Sequence, residues 1–269
     1  MTNVPADNGQ NIPGQTAAGQ LGRRRFLVSG GAAAVLIGGR LARPLIGGPA
    51  RHGGRSRRAR DMAADPAAIG SWTAPFNLTL VSIHAVMLHT GEVLLFSWPT
   101  TTVGSDAVLW NPVSGQITNI ALTYQRDIFC GGTSVLADGR VFIAGGHIYQ
   151  GALQPTQGVI NTTIFDPASN SWTEGPAMSQ ARWYPTTTLL GDGTVIICGG
   201  TMGTGTSAIN VDHYNPVSNT ITTLPSTASR SLLTYPRVKL TTSGLLAWTN
   251  FPTTYYLNPA TAEWTTGPK

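Results

Sequence analysis

The residues whose chemistry could define a site are two cysteines, Cys130 and Cys198, and five histidines. Cys130 ends the segment Asp127-Ile128-Phe129-Cys130, whereas Cys198 ends the apolar run Val195-Ile196-Ile197-Cys198. The sequence is compatible with Cys130 as a buried free thiol or as a disulfide partner of Cys198. Because Cys198 belongs to a strand-like run, its position favours a small core residue.

The histidines do not form an evident metal-binding motif. His84 and His89 are five residues apart. On one extended strand their side chains would point to opposite faces, so they are poor joint ligands. His147 follows Gly145-Gly146 and is a candidate site residue, whereas His213 is interpreted as a packing residue.

The elements that must position these residues repeat along the chain. A turn followed by an apolar strand occurs in four copies, which begin at Thr90-Gly91, Asp138-Gly139, Asp192-Gly193 and Ser243-Gly244. About 20 residues later each copy has a second turn, at Asn111-Pro112, Asp166-Pro167, Asn215-Pro216 and Asn258-Pro259. The period is close to fifty residues, and both turns keep the same order in every copy, which indicates one supersecondary unit per repeat.

Each repeat is typical of a four-stranded propeller blade. Glycine at the first turn supplies a positive φ for a hairpin. The next strand is apolar on both faces, as expected for a strand between neighbouring blades, and its Gly-Gly end lets backbones approach closely. We therefore expect an all-β fold over residues 61–269, a kelch-type β-propeller of about four blades forming an incomplete ring. Residues 71–75 resemble the outer strand at 171–176 and could pair with the last blade.

Charge is concentrated at the N-terminus. Residues 1–60 hold ten arginines and one aspartate, a balance of +9, while residues 61–269 hold seven basic and eleven acidic side chains, a balance of −4. A phosphate-binding groove needs clustered Lys and Arg on the folded domain, so nucleic-acid binding is excluded.

Residues 1–60 also contain a targeting pattern. Arg23-Arg24, one further residue and Phe26-Leu27 open a mild apolar stretch, which indicates a twin-arginine export signal followed by a basic linker. The stretch is shorter than the roughly 18 to 20 residues that span a bilayer, so we expect no stable membrane span. The expected location is secreted or in the cell envelope.

Three segments carry a resemblance to a known family: residues 83–88 (Ile-His-Ala-Val-Met-Leu), 126–132 (Arg-Asp-Ile-Phe-Cys-Gly-Gly) and 181–186 (Ala-Arg-Trp-Tyr-Pro-Thr). Together they resemble the galactose oxidase and glyoxal oxidase group of copper-radical oxidases, in particular bacterial kelch-containing relatives. The resemblance covers roughly residues 70–269. It implies that the chain corresponds to the N-terminal propeller portion of such an enzyme.

The resemblance also implies a cofactor. Cys130 would be joined by a thioether to the ring of Tyr184, and Tyr184 would be both a copper ligand and the radical site. Oxidising an alcohol or aldehyde removes two electrons, copper accepts one, and a tyrosine whose ring carries an electron-donating sulfur supplies the second. The implied substrates are a small alcohol, aldehyde or carbohydrate, with O₂ reduced to H₂O₂.

Several features depart from that family. No Tyr-His pair occurs in the chain, Arg126 stands where the family commonly has His, and Thr201-Met202 stands where galactose oxidase has a tryptophan that shields the thioether. The family's other copper ligands lie in later blades and in a C-terminal domain. We therefore expect a truncated oxidase with weak copper binding and little or no activity alone. The alternative is a non-catalytic kelch propeller that binds a protein or a cell-surface glycan.

Overall fold

The computed structural model describes residues 70, 72–99, 104–122, 127–148, 157–203, 206–250 and 252–267. The predicted export signal and linker over residues 1–60 lie outside the described residues and stay predictions. Trp72–Lys269 forms one compact unit by its internal contacts. In the described part of the chain the only helical element is a three-residue 3-10 helix, Ser226–Ala228. No helix among these residues is long and apolar enough to cross a membrane.

The described residues form four antiparallel four-stranded sheets, one for each sequence repeat. The first sheet contains β1 His84–Met87, β2 Val93–Phe96, β3 Ala107–Trp110 and β4 Ile117–Asn119. The second contains β5 Gly132–Val135, β6 Val141–Ala144, β9 Thr162–Asp166 and β10 Ser171–Glu174. The third contains β11 Thr186–Leu189, β12 Val195–Cys198, β15 Asp212–Asn215 and β16 Thr220–Thr223. The fourth contains β17 Val238–Leu240, β18 Leu246–Asn250, β19 Thr253–Asn258 and β20 Glu263–Thr266.

Strands pair in chain order within each of these sheets, and two small hairpins lie outside them. The hairpins consist of β7 His147–Ile148 with β8 Gln157–Gly158, and of β13 Thr201–Gly203 with β14 Thr206–Ser207. This arrangement is all-β and β-propeller-like, as the sequence predicts. The incomplete ring stays a prediction.

The core lies between consecutive sheets, because the second strand of a sheet is apolar on both faces. In β6, Val141 and Ile143 pack against the first sheet, whereas Phe142 and Ala144 pack against the third. All four side chains are fully buried. Alternation along one strand thus fills two interfaces, which is the physical reason for its uninterrupted apolar sequence.

The same alternation recurs in β12 of the third sheet. Val195 and Ile197 face the second sheet, while Ile196 and Cys198 face the fourth. The four sheets are therefore stacked face to face in chain order, each burying apolar surface against the next.

The first strands of the last three sheets lie next to one another, since β11 contacts both β5 and β17. Side chains join them: Ser134 donates to Thr187 over 2.8 Å, and the Thr186 hydroxyl donates to the Pro236 carbonyl over 2.8 Å. Segments that precede these strands are therefore brought close together.

Tryptophans on the fourth strands of the second and fourth sheets tie these sheets to the segment that follows the preceding sheet. The Trp172 indole N–H donates to the Ile120 carbonyl over 2.6 Å, and the Trp264 indole N–H donates to the Ala228 carbonyl over 2.9 Å. The similar sequence at residues 71–75 behaves differently, because the described residues 72–80 form no strand and Trp72 is fully exposed. The fourth sheet instead takes its last strand from Glu263–Thr266.

Candidate active site

A series of hydrogen bonds joins four residues, each of which lies at or just before the first strand of a different sheet. The Cys130 N–H donates to His84 Nε2 over 3.0 Å. The Tyr184 N–H donates to the Cys130 carbonyl over 3.0 Å, and the Tyr235 N–H donates to the Tyr184 carbonyl over 2.7 Å. Residues roughly fifty positions apart in sequence thus meet because their repeats are stacked sheets.

The Cys130 sulfur is the centre of this cluster. Cys130 is buried, and burial raises the pKa of its thiol to about 11. The neighbouring Tyr184 and Tyr235 side chains act in the opposite direction and favour the thiolate. Burial dominates, so the thiol is neutral at neutral pH.

The two phenols are also held in their neutral forms. Burial raises the pKa of Tyr184 to about 12, and its contact with the Cys130 sulfur adds to the rise. Burial likewise raises the pKa of Tyr235, with further contributions from Cys130 and Tyr184. Both hydroxyls are therefore protonated at neutral pH.

Aromatic rings cover Tyr184 on two sides. The Trp183 ring stacks on it with centroids 4.0 Å apart, and the Tyr235 ring lies 4.8 Å away at a tilt of 54°. Such contacts pack against the phenol ring and restrict its orientation, while Tyr184 stays partly exposed. Trp183 thus provides an aromatic cover beside the position where the sequence has Thr201-Met202.

A buried pair supports the loop that carries Cys130. The Asp127 carboxylate lies 2.8 Å from His147 Nδ1 and accepts from the Ser105 hydroxyl over 3.1 Å. The same carboxylate accepts from the Phe129 N–H over 2.9 Å. The His147 ring also faces the Phe129 and Trp183 rings. His147 therefore bridges the loop of Cys130 and the loop of Tyr184.

Arg182 anchors the loop that carries Tyr184. Its guanidinium is fully buried and donates to the Gly199 and Asn210 carbonyls over 2.8 and 2.7 Å. It also pairs with the buried Asp212 carboxylate at 3.1 Å. A buried charge with these partners fixes the backbone on which Trp183 and Tyr184 are mounted.

Close backbone approach requires glycine beside both loops. A Cβ at Gly146 would collide with the Asp127 carbonyl, and a Cβ at Gly158 would lie 2.6 Å from the Trp183 nitrogen. The predicted crowding at the Gly145-Gly146 end is therefore present, and it occurs at the candidate site.

Comparison with known proteins finds similarity to galactose oxidase. The chain is 28% identical over 200 residues to two galactose oxidase sequences from Gibberella zeae, one of them from strain PH-1. The matches cover 71% of this chain and 28% of each galactose oxidase. The chain is therefore similar to galactose oxidase over this part of its length. It spans about 28% of the length of these curated relatives.

The fold comparison points the same way. A solved structure described as a novel fungal alcohol oxidase with catalytic diversity among the AA5 family, in complex with copper, matches with a TM-score of 0.52 and 24% identity. The match covers 68% of this chain and 40% of that one. It supports the fold of the galactose oxidase-like chain. No protein-family model matches the sequence.

The structure brings together the two predicted site residues, Cys130 and Tyr184, whereas Cys198 lies elsewhere. Both cysteines are free, and Cys198 faces the core between the third and fourth sheets. The alternative of a disulfide between them is therefore absent from this structure. Cys198 is a core residue, as its apolar run indicates.

The histidines are separated. His84 joins the site, whereas the His89 ring lies beside Gly139 in the β5–β6 hairpin. His213 bonds to the Thr194 hydroxyl over 2.6 Å, away from the cluster. Burial lowers the pKa of His84, and the charge of Asp127 opposes that shift.

Sequence reasoning missed two members of the site, Trp183 and Tyr235. Trp183 lies inside segment 181–186, which carries the family resemblance, but the sequence does not show that its ring stacks on Tyr184. Tyr235-Pro236 repeats the pair Tyr184-Pro185 one repeat later, and that repetition was the available signal.

The described residues do not by themselves fit a copper ion. No group of three or more His, Cys, Asp and Glu side chains in the described part of the chain could hold a metal. Tetragonal Cu(II) takes about four donors, mostly imidazole nitrogen and charged oxygen. Here Tyr184 is a neutral phenol, and His84 Nε2 already accepts from Cys130.

Proposed function

We propose that this chain builds the cysteine–tyrosine part of a galactose oxidase-like copper-radical oxidase that converts a primary alcohol or aldehyde and O₂ into an oxidised product and H₂O₂. The observation that carries the proposal is that Cys130 and Tyr184 are adjacent in the fold, with the Tyr184 N–H donating to the Cys130 carbonyl over 3.0 Å. These two groups come from loops of neighbouring sheets, and the sequence similarity to galactose oxidase extends across both.

The roles of the chain's own residues follow from their positions. Tyr184 is the radical site, and Cys130 forms the thioether that lowers the oxidation potential of the phenol. Trp183 shields the Tyr184 ring from solvent. Forming the C–S bond removes the thiol hydrogen and one ring hydrogen, and the two electrons go to O₂.

The remaining copper ligands are proposed to come from outside the described residues. Tyr184 is the single ligand that the family resemblance assigns to the described chain, so we expect weak copper binding and little or no oxidase activity from it alone. We also propose that the twin-arginine pattern over residues 22–39 directs export to an oxidising compartment, where thioether formation is chemically accessible.

The test is mass spectrometry of the folded chain after exposure to Cu(II) and air. We expect a peptide pair linking Cys130 to Tyr184, with the loss of two hydrogens. Cys130→Ser should abolish the linked pair, and Cys198→Ala should retain it, because Cys198 lies in the core.

An intact thiol and phenol in the folded, copper-treated chain would contradict the oxidase proposal. That outcome would favour the second candidate, a non-catalytic propeller that binds a protein or a cell-surface glycan. The observation in its favour is the lack of a three-ligand metal group among the described residues.

A further inference from the structure

Cys130, Tyr184 and Tyr235 occupy the same position in successive repeats. Each lies nine residues before the glycine of the following turn, at Gly139, Gly193 and Gly244 respectively. All three have positive φ, of 63°, 60° and 44°. The N–H groups of Tyr184 and Tyr235 donate to the carbonyl of the equivalent residue one repeat earlier. The Cys130 N–H has a different acceptor, because it donates to His84 Nε2 over 3.0 Å.

The hydrogen bond to His84 defines the state of the imidazole. Nε2 accepts from an N–H only through its lone pair, so the ring is neutral and carries its proton on Nδ1. The ring stacks on Phe96 with centroids 4.5 Å apart, and it meets the Phe129 ring edge-on at 6.4 Å. These ring contacts restrict the plane of the imidazole that faces the Cys130 backbone.

The loop that carries Cys130 is held by side chains rather than by a strand ladder. The Ile128 N–H donates to the Ser105 hydroxyl oxygen over 3.0 Å, and the Phe129 N–H donates to the Asp127 carboxylate over 2.9 Å. His84 supplies the acceptor for the next N–H along the loop. If the imidazole is protonated, Nε2 becomes a donor that faces another donor, and a buried N–H loses its acceptor.

We propose that His84 is a positioning residue for Cys130: its neutral imidazole holds the Cys130 loop beside Tyr184, and protonation of the imidazole releases that loop while the Tyr184 loop stays in place. The inference rests on the proposed function, since Cys130 must lie beside Tyr184 for the thioether to form. It adds a residue to the site and a pH dependence to the assembly of the site.

The direction of the pH dependence follows from the surroundings of the imidazole. Burial lowers the pKa of His84 below the ordinary value of 6.5, and the charge of Asp127 opposes that shift. The Cys130 thiol is neutral, because burial raises its pKa to about 11, and the Phe96 and Phe129 rings carry no charge. The hydrogen bond is therefore complete above pH 6.5 and is lost as the pH falls through the lowered pKa of His84.

The experiment is amide hydrogen exchange of the full chain without copper, followed by NMR with ¹⁵N-labelled cysteine and tyrosine. The protection factor, which is the ratio of the intrinsic to the observed exchange rate, removes the pH dependence of exchange itself. We expect the protection factor of Cys130 to fall by about tenfold as the pH falls through the pKa of His84. The Tyr184 and Tyr235 amides are internal controls and should keep their protection, because their acceptors are carbonyls.

Two substitutions separate the hydrogen bond from the packing of the ring. His84→Phe keeps a ring against Phe96 but has no acceptor, so the protection factor of Cys130 should be about tenfold lower at neutral pH. His84→Gln has a carbonyl acceptor that does not titrate, and it should restore the protection and remove the acid loss. His89→Gln is the matched control, because His89 is exposed beside Gly139, and it should leave all three amides unchanged.

Equal protection of Cys130 in wild type and His84→Phe would overturn the proposal, as would an acid loss in His84→Gln as large as in wild type. A Tyr184 amide that loses protection together with Cys130 would also overturn it. The result is separable from the proposed function, because the measurement needs neither copper nor the thioether. A wild type that loses Cys130 protection in acid, but forms no link with copper and air, supports the role of His84 and contradicts the oxidase proposal.

Discussion

The outer hairpins, which join the third and fourth strands of each sheet, and the site loops, which precede the first strands, both contain residues with positive φ. The two regions use different residue types for this conformation. In the outer hairpins the residues with positive φ are Gly115, Asn170, Asn219 and Ala262, with φ of 75°, 51°, 52° and 60°. At the site they are Cys130, Tyr184, Leu233 and Tyr235, with φ of 63°, 60°, 64° and 44°. Every described non-glycine residue with positive φ belongs to one of these two sets.

The hairpins reach this conformation by local means. Asn111 Oδ1 accepts from the N–H groups of Val113 and Ser114, and Asn215 Oδ1 does the same two repeats later. Small or amide side chains tolerate positive φ at little cost. The turn is therefore specified by a few adjacent residues.

The site loops reach it by tertiary contacts. Bulky side chains at positive φ are costly, and they persist where the surrounding structure over-determines them. Here the buried Arg182 clamp and the Asp127–His147 pair supply those contacts. The comparison shows that the same backbone conformation costs little free energy in the outer hairpins, whereas at the site it is costly and is stabilised by tertiary contacts.

The largest expected effect comes from removing the clamp. Arg182→Met leaves the fully buried Asp212 without its charge partner and should lower the free energy of unfolding by about 3–5 kcal/mol. Urea unfolding measures the change. The control is Arg140→Met, which removes the exposed hairpin pair with Asp138 and should cost at most about 1 kcal/mol. Equal costs for both variants would mean that the site loop does not depend on its buried anchor.

A smaller loss is expected from a methyl group placed against the Tyr184 loop. In Gly158→Ala the new Cβ would lie 2.5 Å from the Arg182 carbonyl carbon and 2.6 Å from the Thr201 oxygen. Backbone atoms cannot rotate away, so the cost should approach about 3 kcal/mol. Gly203→Ala is the matched control, because nothing lies within 4 Å of its Cβ position. Thermal or urea unfolding of both would test the difference, and a Gly158→Ala as stable as Gly203→Ala would contradict it.

The buried thiol at the site and the buried thiol between the sheets also differ in their pKa. Burial raises the pKa of Cys198 to about 12 and that of Cys130 to about 11, and in Cys130 the neighbouring Tyr184 and Tyr235 side chains oppose the rise. Each thiol contributes its full stabilisation below the ordinary pKa of 9.0. The contribution is lost as pH rises, up to about 11 for Cys130 and about 12 for Cys198.

Wild type should therefore lose stability above pH 9.0, and the deficit of Cys198→Ala relative to wild type should shrink as pH rises. Urea unfolding at several alkaline pH values gives both curves. A deficit that stays constant across this range would contradict the raised pKa of Cys198.

The smallest effect is expected at an outer hairpin. Asn170→Ala replaces a residue that readily adopts φ of 51° with one that adopts it less readily, as Ala262 does in the fourth sheet, at a cost of about 1 kcal/mol. Asn170→Gly should be close to neutral, because glycine adopts this conformation without strain. Thermal unfolding of the two variants would show whether the hairpin is local, and an Asn170→Ala loss comparable to that of Arg182→Met would remove the contrast between the regions.

Local and repeated features were predictable from the sequence. The Asp-Gly turns have φ of 87° at Gly139 and 85° at Gly193, and the apolar runs after them became strands buried on both faces. The family resemblance indicated Cys130 and Tyr184, and the structure joins their backbones by a hydrogen bond. The role of Trp72 was less predictable, because a Ser-Trp-Thr segment becomes a strand only where a neighbouring strand is available to pair with it.

By itself, the sequence determined the repeat, the strands and the faces that each strand buries, since hydrophobic periodicity and turn residues act over a few positions. Only the tertiary structure decided that the Tyr235 ring packs against Tyr184 and that Arg182 anchors the Tyr184 loop. Those contacts join residues far apart in sequence through the stacking of separate sheets, and no local pattern encodes the distance between side chains that different sheets present to one another.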